Sequence, residues 1–236
     1  MAAFGKISAP SLKEICVQEI LTKILSGELK PGEQLPTERE LAARTDVSLA
    51  VVHSGITRLA EAGFLRVAPR KGVYVTDYLR TGNLETLNAI LKYRGSIFSK
   101  DLFLPTMTYL QHLMDWLLEA ACRECGGETW SALEQILDDY RKSIRQTEAA
   151  ELAFRFYHEA AVGCGSYVYP YLTAAAKDLI MQCFASSIRI LGKDPFLPPL
   201  EETLAALRDR DAETACGAFR KICRQWEEIY TSTFSE

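Results

Sequence analysis

The stretch from Lys30 to Thr76 constrains the fold most, because it contains start and stop signals for several short elements in close succession. Thr37 is followed three residues later by Glu40, a capping-box pattern for a short helix that ends near Arg44. Pro36 precedes the cap and discourages any helix from running through this point. These signals predict a brief first helix with a fixed beginning.

A second helix is predicted directly after a tight turn at residues 45–48, where Asp46 or Ser48 can cap it. It ends near Ala62, because Gly63 suits the left-handed position that follows a helix end. The spacing i, i+4 and i+7 predicts its buried stripe, which consists of Val52, Ile56 and Leu59.

Two strands, at residues 64–67 and 72–76, are predicted next, joined by the basic tip Ala68-Pro69-Arg70-Lys71. Two helices joined by a turn and followed by a two-stranded wing are the layout of a winged helix-turn-helix. A helix fits the DNA major groove, and a basic loop beside it can reach phosphates or the minor groove.

Charge is distributed unevenly along the chain. Residues 1–76 carry ten Lys and Arg against eight Asp and Glu, whereas residues 77–236 carry seventeen against twenty-three. A mildly basic first domain on an acidic body suits a DNA reader. No apolar run approaches the roughly 18 residues of a membrane span, and the first ten residues do not resemble a signal peptide. Seven irregularly spaced cysteines favour reduced thiols. We therefore expect a cytoplasmic protein with no membrane partner.

The segments PGEQLPTERELA, RLAEAGFL and RVAPRKGVYV resemble the DNA-binding domain of GntR-type bacterial transcription regulators. The resemblance implies that the domain binds double-stranded DNA. One departure is clear: family members usually carry arginine at the recognition-helix positions occupied here by Leu49 and His53. Since arginine is the commonest bidentate reader of guanine, the usual base contacts are lost and the operator sequence cannot be inferred.

The predicted DNA-binding residues fall into three groups. Phosphate and minor-groove contacts are expected from Arg39, Arg44, Arg58, Arg70 and Lys71. Base-facing positions are expected at Ser48, Ala50, His53, Ser54 and Thr57. The set is completed by Thr37, Leu49 and Gly72.

The remainder of the chain predicts helices only. Ser11-Leu12-Lys13-Glu14 is a capping box for a helix that precedes the helix-turn-helix. Leu12, Cys16, Ile20 and Ile24 lie on one face of this helix, with Ile15 and Leu21 beside them. After the reader at 1–76, a polar linker is expected at 77–83 and an all-α antiparallel bundle at 84–236. The fold class is therefore mainly α. The predicted helical segments of the bundle are Leu84–Arg94, Lys100–Glu124, Thr129–Ile144, Thr147–Val162, Tyr169–Leu191, Leu200–Arg208 and Asp211–Thr233.

This bundle resembles the effector domain of the FadR subgroup, through residues 84–91 and 228–230 and the general layout. Most members hold a divalent metal through an Asp and a His four residues apart on one helix, with two later histidines. Here His158 occupies the place of the first histidine, but Phe154 stands four residues earlier and no histidine follows. We therefore expect no metal and no other cofactor.

A small-molecule effector remains expected, either an organic acid or an acyl-type metabolite, in a mostly apolar pocket with a few polar groups. The candidate pocket residues are Tyr109, His112, Tyr157, His158 and Tyr230, although aromatic residues at helical spacing are more often core. The C-x-x-C pair of Cys122 and Cys125 is interpreted as two chance helix cysteines rather than half a zinc site.

No glycine-rich phosphate loop, G-x-S-x-G or H-E-x-x-H motif occurs, so no enzyme and no catalytic residue is predicted. The leading hypothesis is a bacterial transcriptional regulator that binds a palindromic operator as a homodimer under control of an effector. The alternative is a ligand-sensing helical protein whose degenerate winged helix no longer binds DNA sequence-specifically and acts through protein partners.

Overall fold

A computed structural model of the chain describes residues 12–94 and 100–234. Contacts group the chain into two compact units, Met1–Gly95 and Ser96–Glu236. The predicted cap at Ser11 lies outside the described residues.

The first unit contains five helices and a two-stranded antiparallel sheet within residues 12–94. Strand β1 pairs with β2 so that Leu65 lies opposite Val75 and Ala68 lies opposite Gly72. In chain order the elements are α1 (Leu12–Leu25), α2 (Glu38–Thr45), α3 (Leu49–Glu61), β1 (Leu65–Ala68), β2 (Gly72–Val75), α4 (Tyr78–Thr81) and α5 (Leu84–Arg94). The predicted winged helix-turn-helix is confirmed.

Local capping explains the positions of α2 and α3. Thr37 and Glu40 form the complete capping box, in which the Thr37 backbone N–H donates to Glu40 Oε2 at 2.8 Å. Asp46 takes a left-handed conformation with φ 53° and ends α2. Ser48 then caps α3 by accepting a hydrogen bond from the Val51 N–H at 3.4 Å. The turn between the helices is therefore fixed by side chains of its own sequence.

The core of the first unit lies between α1, α3 and the sheet. Val52, Ile56 and Leu59 are at most 1% exposed, as their spacing predicts. Gly55 is also buried, and its absent Cβ lets Val17 of α1 approach to 3.4 Å of that position. Of the residues predicted on or beside the apolar face of α1, Cys16, Ile20, Leu21 and Ile24 are buried, whereas the side chain of Ile15 is exposed.

A cluster of threonine hydroxyls, which we call the threonine clasp, holds the end of α3. The carbonyl of Gly63 accepts hydrogen bonds from Thr76 Oγ1 at 2.5 Å and Thr81 Oγ1 at 3.2 Å. The adjacent carbonyl of Ala62 accepts one from Thr86 Oγ1 at 2.5 Å. These otherwise unpaired helix-end carbonyls are thereby satisfied by Thr76, which directly follows β2, and by residues of α4 and α5.

The clasp explains why the structure differs from the predicted domain limits. Residues 77–83 contain the short helix α4 rather than an open linker. Helix α5 is grouped with the first unit, since Thr86 bonds Ala62 and Ala89 and Ile90 pack against the first core. These contacts are tertiary and leave no mark on the helical pattern of residues 84–94.

The second unit is all-helical over residues 100–234. Helix α12 (Ala212–Phe234) packs against α6 (Lys100–Glu124) and α11 (Leu197–Asp209). Helix α8 (Gln146–Gly163) packs against α7 (Gly127–Lys142) and α10 (Lys177–Leu191). A short 3-10 turn at Asp194–Phe196 leads into α11. The elements are α6 (Lys100–Glu124), α7 (Gly127–Lys142), α8 (Gln146–Gly163), α9 (Tyr169–Ala175), α10 (Lys177–Leu191), α11 (Leu197–Asp209) and α12 (Ala212–Phe234).

The predicted single helix Tyr169–Leu191 is wrong, because the chain forms two helices that meet at Ala176. The ψ of Ala176 is 3°, and its N–H is shared between the carbonyls of Leu172 and Ala174. Neither glycine nor proline marks this break, so the sequence pattern continues through it. Ala176 itself is buried, which places the junction inside the bundle.

The interior of the second unit is strongly aromatic. Tyr157 of α8 makes edge-on contacts with Phe156 and Phe219, and Trp226 of α12 makes them with Phe184 and Phe219. All five rings are fully buried. Such tilted aromatic pairs add to the stabilisation that burial gives. Within the described residues, no helix is both long enough and apolar enough to span a bilayer.

Lys193 caps the end of α7. Its ammonium group donates to the carbonyls of Tyr140 at 3.0 Å, Arg141 at 2.7 Å and Ser143 at 2.5 Å. In return, the Tyr140 hydroxyl donates to the Lys193 carbonyl at 2.9 Å. A cation at this position satisfies the last carbonyls of the helix and complements its dipole.

Candidate DNA-binding surface

Helix α3 presents a polar arc to solvent on the side opposite its buried stripe. Ala50, His53, Thr57 and Arg58 are exposed and Ser54 is half-buried. The predicted base-facing residues of α3 therefore lie together on one accessible arc, with Ser48 at its beginning. Only such an arc can enter the major groove without disturbing the core.

Several hydroxyls of this surface are already engaged, which limits what each can do. Thr57 Oγ1 donates to the carbonyl of His53 at 2.9 Å, so its lone pairs remain for accepting from a base. Ser48 is occupied as the cap of α3. Thr37 donates through its hydroxyl to Glu40 Oε2 at 2.9 Å. The structure thus assigns capping roles to Ser48 and Thr37.

Capping also alters the acidity of Glu40. Hydrogen bonds from the backbone N–H and the hydroxyl of Thr37 stabilise its carboxylate and lower the pKa of Glu40. The ionised form is the one that completes the capping box. Order at the start of α2 therefore depends on this carboxylate staying charged.

The two positions that depart from the family pattern lie side by side on the arc. Leu49 is 46% exposed and offers DNA only an apolar surface. The imidazole of His53 has its Nδ1 3.0 Å from Oε1 and 3.3 Å from Oε2 of Glu38 on α2. The sequence gives no sign of this partner, because it lies fifteen residues away. Glu38 is therefore a site residue that sequence reasoning missed.

The wing tip is basic, exposed and braced from below. Arg70 adopts a left-handed φ of 61° at the tip, next to exposed Lys71. Gly72 has φ 119°, and a Cβ there would collide with the Gln34 side chain. That side chain donates to the Lys71 carbonyl at 3.0 Å. Gln34 was missed by sequence reasoning, since its role depends on this contact.

A further cation strengthens the wing. Arg66 of β1 is exposed, and its guanidinium lies 5.4 Å from the ring centroid of Tyr74 on β2. A cation held over an aromatic ring loses less freedom when it binds a phosphate. Arg66 thus joins Arg70 and Lys71 on the same two-stranded element. A lone arginine inside a predicted strand gave no reason to select it.

The other predicted phosphate contacts, Arg39, Arg44 and Arg58, are all exposed. Arg58 also borders a groove of about 1010 Å³ formed by α1, α3 and α5. His53, Ser54 and Thr57 line the same groove. The recognition helix is therefore accessible along its flank as well as along its exposed arc.

The predicted effector residues are dispersed through the second unit. Tyr157 is fully buried in the aromatic core, while His112 lies exposed on α6, 6.3 Å from the Trp116 ring. Tyr109 is also on α6 and 38% exposed. Tyr230 stacks on Phe103 at 4.3 Å, and His158 lies 5.6 Å from Phe154. Neither the groove of α1, α3 and α5 nor a second pocket, lined by residues between 139 and 155, includes any of these five side chains.

Unpaired polar atoms mark the core around Tyr157. Its hydroxyl lies beside Thr203, yet within the described residues it lacks a partner at hydrogen-bond geometry. The Nε1 of Trp226 is also buried without a hydrogen-bond partner among the described residues. Burial raises the pKa of Tyr157, so the hydroxyl stays protonated and remains a donor. Sequence reasoning selected Tyr157 but not Trp226 or Thr203.

The cysteines behave as core residues. Cys122 and Cys125 are buried, and burial raises the pKa of Cys125 to about 11. A protonated thiol is a poor metal ligand and a poor nucleophile. Across residues 12–94 and 100–234, no three His, Cys, Asp or Glu side chains are placed to share a metal ion.

A capped pair of helices with an exposed polar arc, flanked by a basic two-stranded wing, defines a winged helix-turn-helix DNA-binding domain. Residues 12–75 match the family model for bacterial regulatory proteins, gntR family. The amino-terminal domain of this chain is therefore similar to the helix-turn-helix domain of GntR-family regulators.

Curated relatives extend the match slightly beyond this domain. The chain is 34% identical over 95 residues to the HTH-type transcriptional regulator Mce2R of Mycobacterium tuberculosis, covering 40% of each chain. It is 29% identical over 85 residues to the fatty acid metabolism regulator protein of Vibrio cholerae, covering 36% of this chain and 30% of that protein. The chain thus spans less than half the length of these relatives. They point to transcription regulators and not to enzymes.

A solved structure supports the complete fold. The protein Lar, described as controlling the expression of the Listeria monocytogenes agr system, aligns with a TM-score of 0.63 at 15% identity. The alignment covers 94% of this chain and 99% of that one. At this identity the likeness concerns the fold alone. The expected arrangement of a winged helix-turn-helix followed by a helical bundle is confirmed.

Proposed function

We propose that this protein is a bacterial transcriptional regulator that binds a palindromic DNA operator as a homodimer in the cytoplasm. A small-molecule effector bound in the helical unit would control its DNA affinity. The observation that carries the proposal is the accessible arc of α3 beside a wing whose tip carries Arg70 and Lys71.

The arrangement of charge supports double-stranded DNA as the partner. Arg66, Arg70 and Lys71 all lie on the wing and are exposed, while Arg39 and Arg44 lie exposed on α2. Cations on both sides of a recognition helix can contact phosphates on both sides of the major groove. The arc between them carries Thr57 and His53, which supply hydrogen-bonding atoms for base edges.

A two-fold symmetric operator follows from the short length of DNA that one winged helix-turn-helix domain can contact. One recognition helix contacts only one half-site, and helix-turn-helix proteins gain affinity and specificity by pairing two. A homodimer with two-fold symmetry would place one α3 on each half of a palindrome. We propose that the helical unit provides the contacts between subunits.

The interior of the helical unit supports effector binding. Tyr157 and Trp226 bring buried hydrogen-bond donors into a largely apolar aromatic core. Such donors gain most from an acceptor-rich ligand, because an unpaired buried polar group carries a cost. An organic acid or an acyl-type metabolite combines acceptor oxygens with an apolar body. Such a ligand would change the affinity for DNA by a factor equal to the ratio of its own affinities for the DNA-bound and the DNA-free protein.

The test is a selection of the full chain on random double-stranded DNA, followed by affinity measurements at two salt concentrations. We expect enrichment of an inverted repeat whose half-site centres are about 10 base pairs apart, or a multiple of this. Affinity for that repeat should exceed affinity for a scrambled duplex by at least about a thousandfold.

Thr57→Val is the matched reading variant, since Thr57 is exposed on the arc and is not among the residues that α3 buries. It should lower affinity for the enriched repeat without lowering affinity for scrambled DNA. If no sequence is enriched, and all binding disappears at moderate salt, only the non-specific phosphate attraction exists and the proposal is wrong.

The second candidate, a sensor that acts through protein partners, is favoured by Leu49. An exposed leucine replaces the expected arginine on the reading arc, and apolar exposure suits protein contacts better than base readout. Leu49→Arg separates the two functions. If the native chain binds DNA sequence-specifically, the selection enriches a sequence with the native chain. If it acts through protein partners instead, specific DNA binding appears only with Leu49→Arg.

A further inference from the structure

The interhelical contact between His53 and Glu38 fixes more than the position of the imidazole. Glu38 lies in the first turn of α2 and its side chain is 30% exposed, while that of His53 is 69% exposed. The Nδ1 of His53 approaches both carboxylate oxygens, at 3.0 and 3.3 Å. His53 thus reaches its partner with one ring nitrogen and remains largely open to solvent.

This geometry determines which nitrogen carries the proton. An ionised carboxylate only accepts hydrogen bonds, so Nδ1 must be the donor. In the neutral ring Nε2 then has a lone pair and is an acceptor. In the protonated ring Nε2 also carries a proton and is a donor. Arginine, which the family usually has here, donates at every physiological pH.

We propose that Glu38 is a positioning residue that holds His53 in the Nδ1–H form, so that Nε2 reads the base edge and changes its preference with pH. Neutral Nε2 accepts from adenine N6 or cytosine N4, whereas protonated Nε2 donates to guanine N7 or O6. His53 becomes a specificity determinant whose preferred base depends on its charge. The inference rests on the proposed function, that this domain binds DNA.

The other charged groups around this site do not reproduce the effect. The groove bordered by His53 also carries Glu14 of α1, Glu61 of α3 and Glu85 of α5, together with Arg58. Carboxylates and guanidinium groups ordinarily keep their charge between about pH 5.5 and about pH 8, whereas imidazole does not. A change of base preference in this interval therefore points to His53.

The first experiment tests the tautomer directly in the DNA-free full chain. The sequence has only three histidines, so ¹⁵N-histidine labelling gives a simple spectrum in which His53→Gln identifies the His53 signals. At about pH 8 we expect a protonated Nδ1 and an unprotonated Nε2. Glu38→Gln should shift the ring towards the Nε2–H form, because an amide can donate as well as accept. If His53 of the native chain were in the Nε2–H form, the inference would be overturned, independently of any result on DNA binding.

The second experiment measures base preference. In the repeat enriched by selection, each base pair of the half-site is replaced in turn. The affinity of the protein for each substituted duplex is then measured at about pH 5.5 and at about pH 8. We expect one position at which the preference for guanine over adenine rises about fivefold to tenfold on acidification. Glu38→Gln should weaken that change at least about threefold, while His53→Arg should prefer guanine at both pH values.

The outcomes separate the two proposals. If no sequence is enriched at either pH, the proposed function fails and the readout by His53 fails with it. If a repeat is enriched but its base preferences are the same at both pH values, only the inference about His53 is overturned. Equal pH dependence in the native chain and in Glu38→Gln removes the positioning role of Glu38.

Discussion

Replacing Gly63 with alanine tests how tightly the end of the recognition helix is held. Gly63 has φ 77°, and an added Cβ would lie 2.9 Å from the Thr81 carbonyl oxygen and 3.0 Å from the Gly82 Cα. The left-handed conformation costs alanine about 1–2 kcal/mol. Forcing backbone atoms apart adds about 1–3 kcal/mol. We therefore expect a loss of about 2–5 kcal/mol in the first unit.

Gly27→Ala is the matched control. Gly27 has nearly the same φ, 80°, but nothing lies within 4 Å of its Cβ position. It should therefore lose only the conformational cost of about 1–2 kcal/mol. The difference between the two variants isolates the close approach of the threonine clasp.

Hydrogen exchange followed by mass spectrometry is the appropriate assay, because all three tryptophans, Trp116, Trp130 and Trp226, lie in the second unit. Exchange at the end of α3 and in β1 should accelerate about thirtyfold or more in Gly63→Ala, since each 1.4 kcal/mol corresponds to about tenfold. Tryptophan fluorescence should report native packing in both variants. If Gly63→Ala exchanges no faster than Gly27→Ala, the reasoning about the clasp is refuted.

Three further predictions concern the cap of α2, the cap of α7 and the wing. Because folding lowers the pKa of Glu40, the stabilisation that its carboxylate gives to α2 is present above the pKa of the unfolded state and is lost as pH falls through the pKa of the folded state. Hydrogen exchange at the start of α2 should therefore accelerate on acidification. In Glu40→Gln, exchange at the start of α2 should depend less on pH. Lys193→Met should destabilise the second unit by about 2 kcal/mol in urea titrations followed by fluorescence, because three carbonyls lose a charged donor; Lys142→Met, exposed on α7, should change it by less than about 0.5 kcal/mol. Arg70→Ala should weaken binding to every duplex and reduce the salt slope by about 1, whereas Lys221→Ala, which removes only a pair with Glu202 at 2.6 Å, should do neither.

The elements that the sequence predicted correctly are specified by their own neighbours. Thr37 with Glu40, and Ser48 with the turn before it, define where α2 and α3 begin without help from distant residues. The buried stripe of α3 follows from helical spacing alone. The order of the elements and the basic wing tip also follow from local signals, and the resemblance to a family agrees with them.

The features that the sequence did not predict depend on tertiary contacts. Glu38 reaches His53 only because α2 and α3 cross at that point. Helix α5 belongs to the first unit because the hydroxyl of Thr86 donates a hydrogen bond to a carbonyl twenty-four residues away. The break at Ala176 lies in a run of alanines whose helix propensity is high, so local preference favours the opposite outcome.

The effector candidates show the same limit. Selecting polar aromatic residues on helices identified Tyr157, which lies in the core, together with His112, which does not. Which face of α6 or α8 is buried depends on the neighbouring helices. The donors that Trp226 and Tyr157 leave unpaired became apparent only from their packing.

The threonine clasp also has a consequence for chain length. Thr76 and Thr81 bond the carbonyl of Gly63 and Thr86 bonds the adjacent carbonyl of Ala62, so the segment between residues 76 and 86 begins and ends at one turn. Inserting or deleting a residue there would carry at least one hydroxyl out of reach. The wing tip at residues 69–71 is exposed, and its side-chain hydrogen bonds, from Gln34 and Tyr74, both reach the single carbonyl of Lys71. Among descendants of this sequence, variation in length should therefore collect at the tip of the wing and avoid the segment between residues 76 and 86.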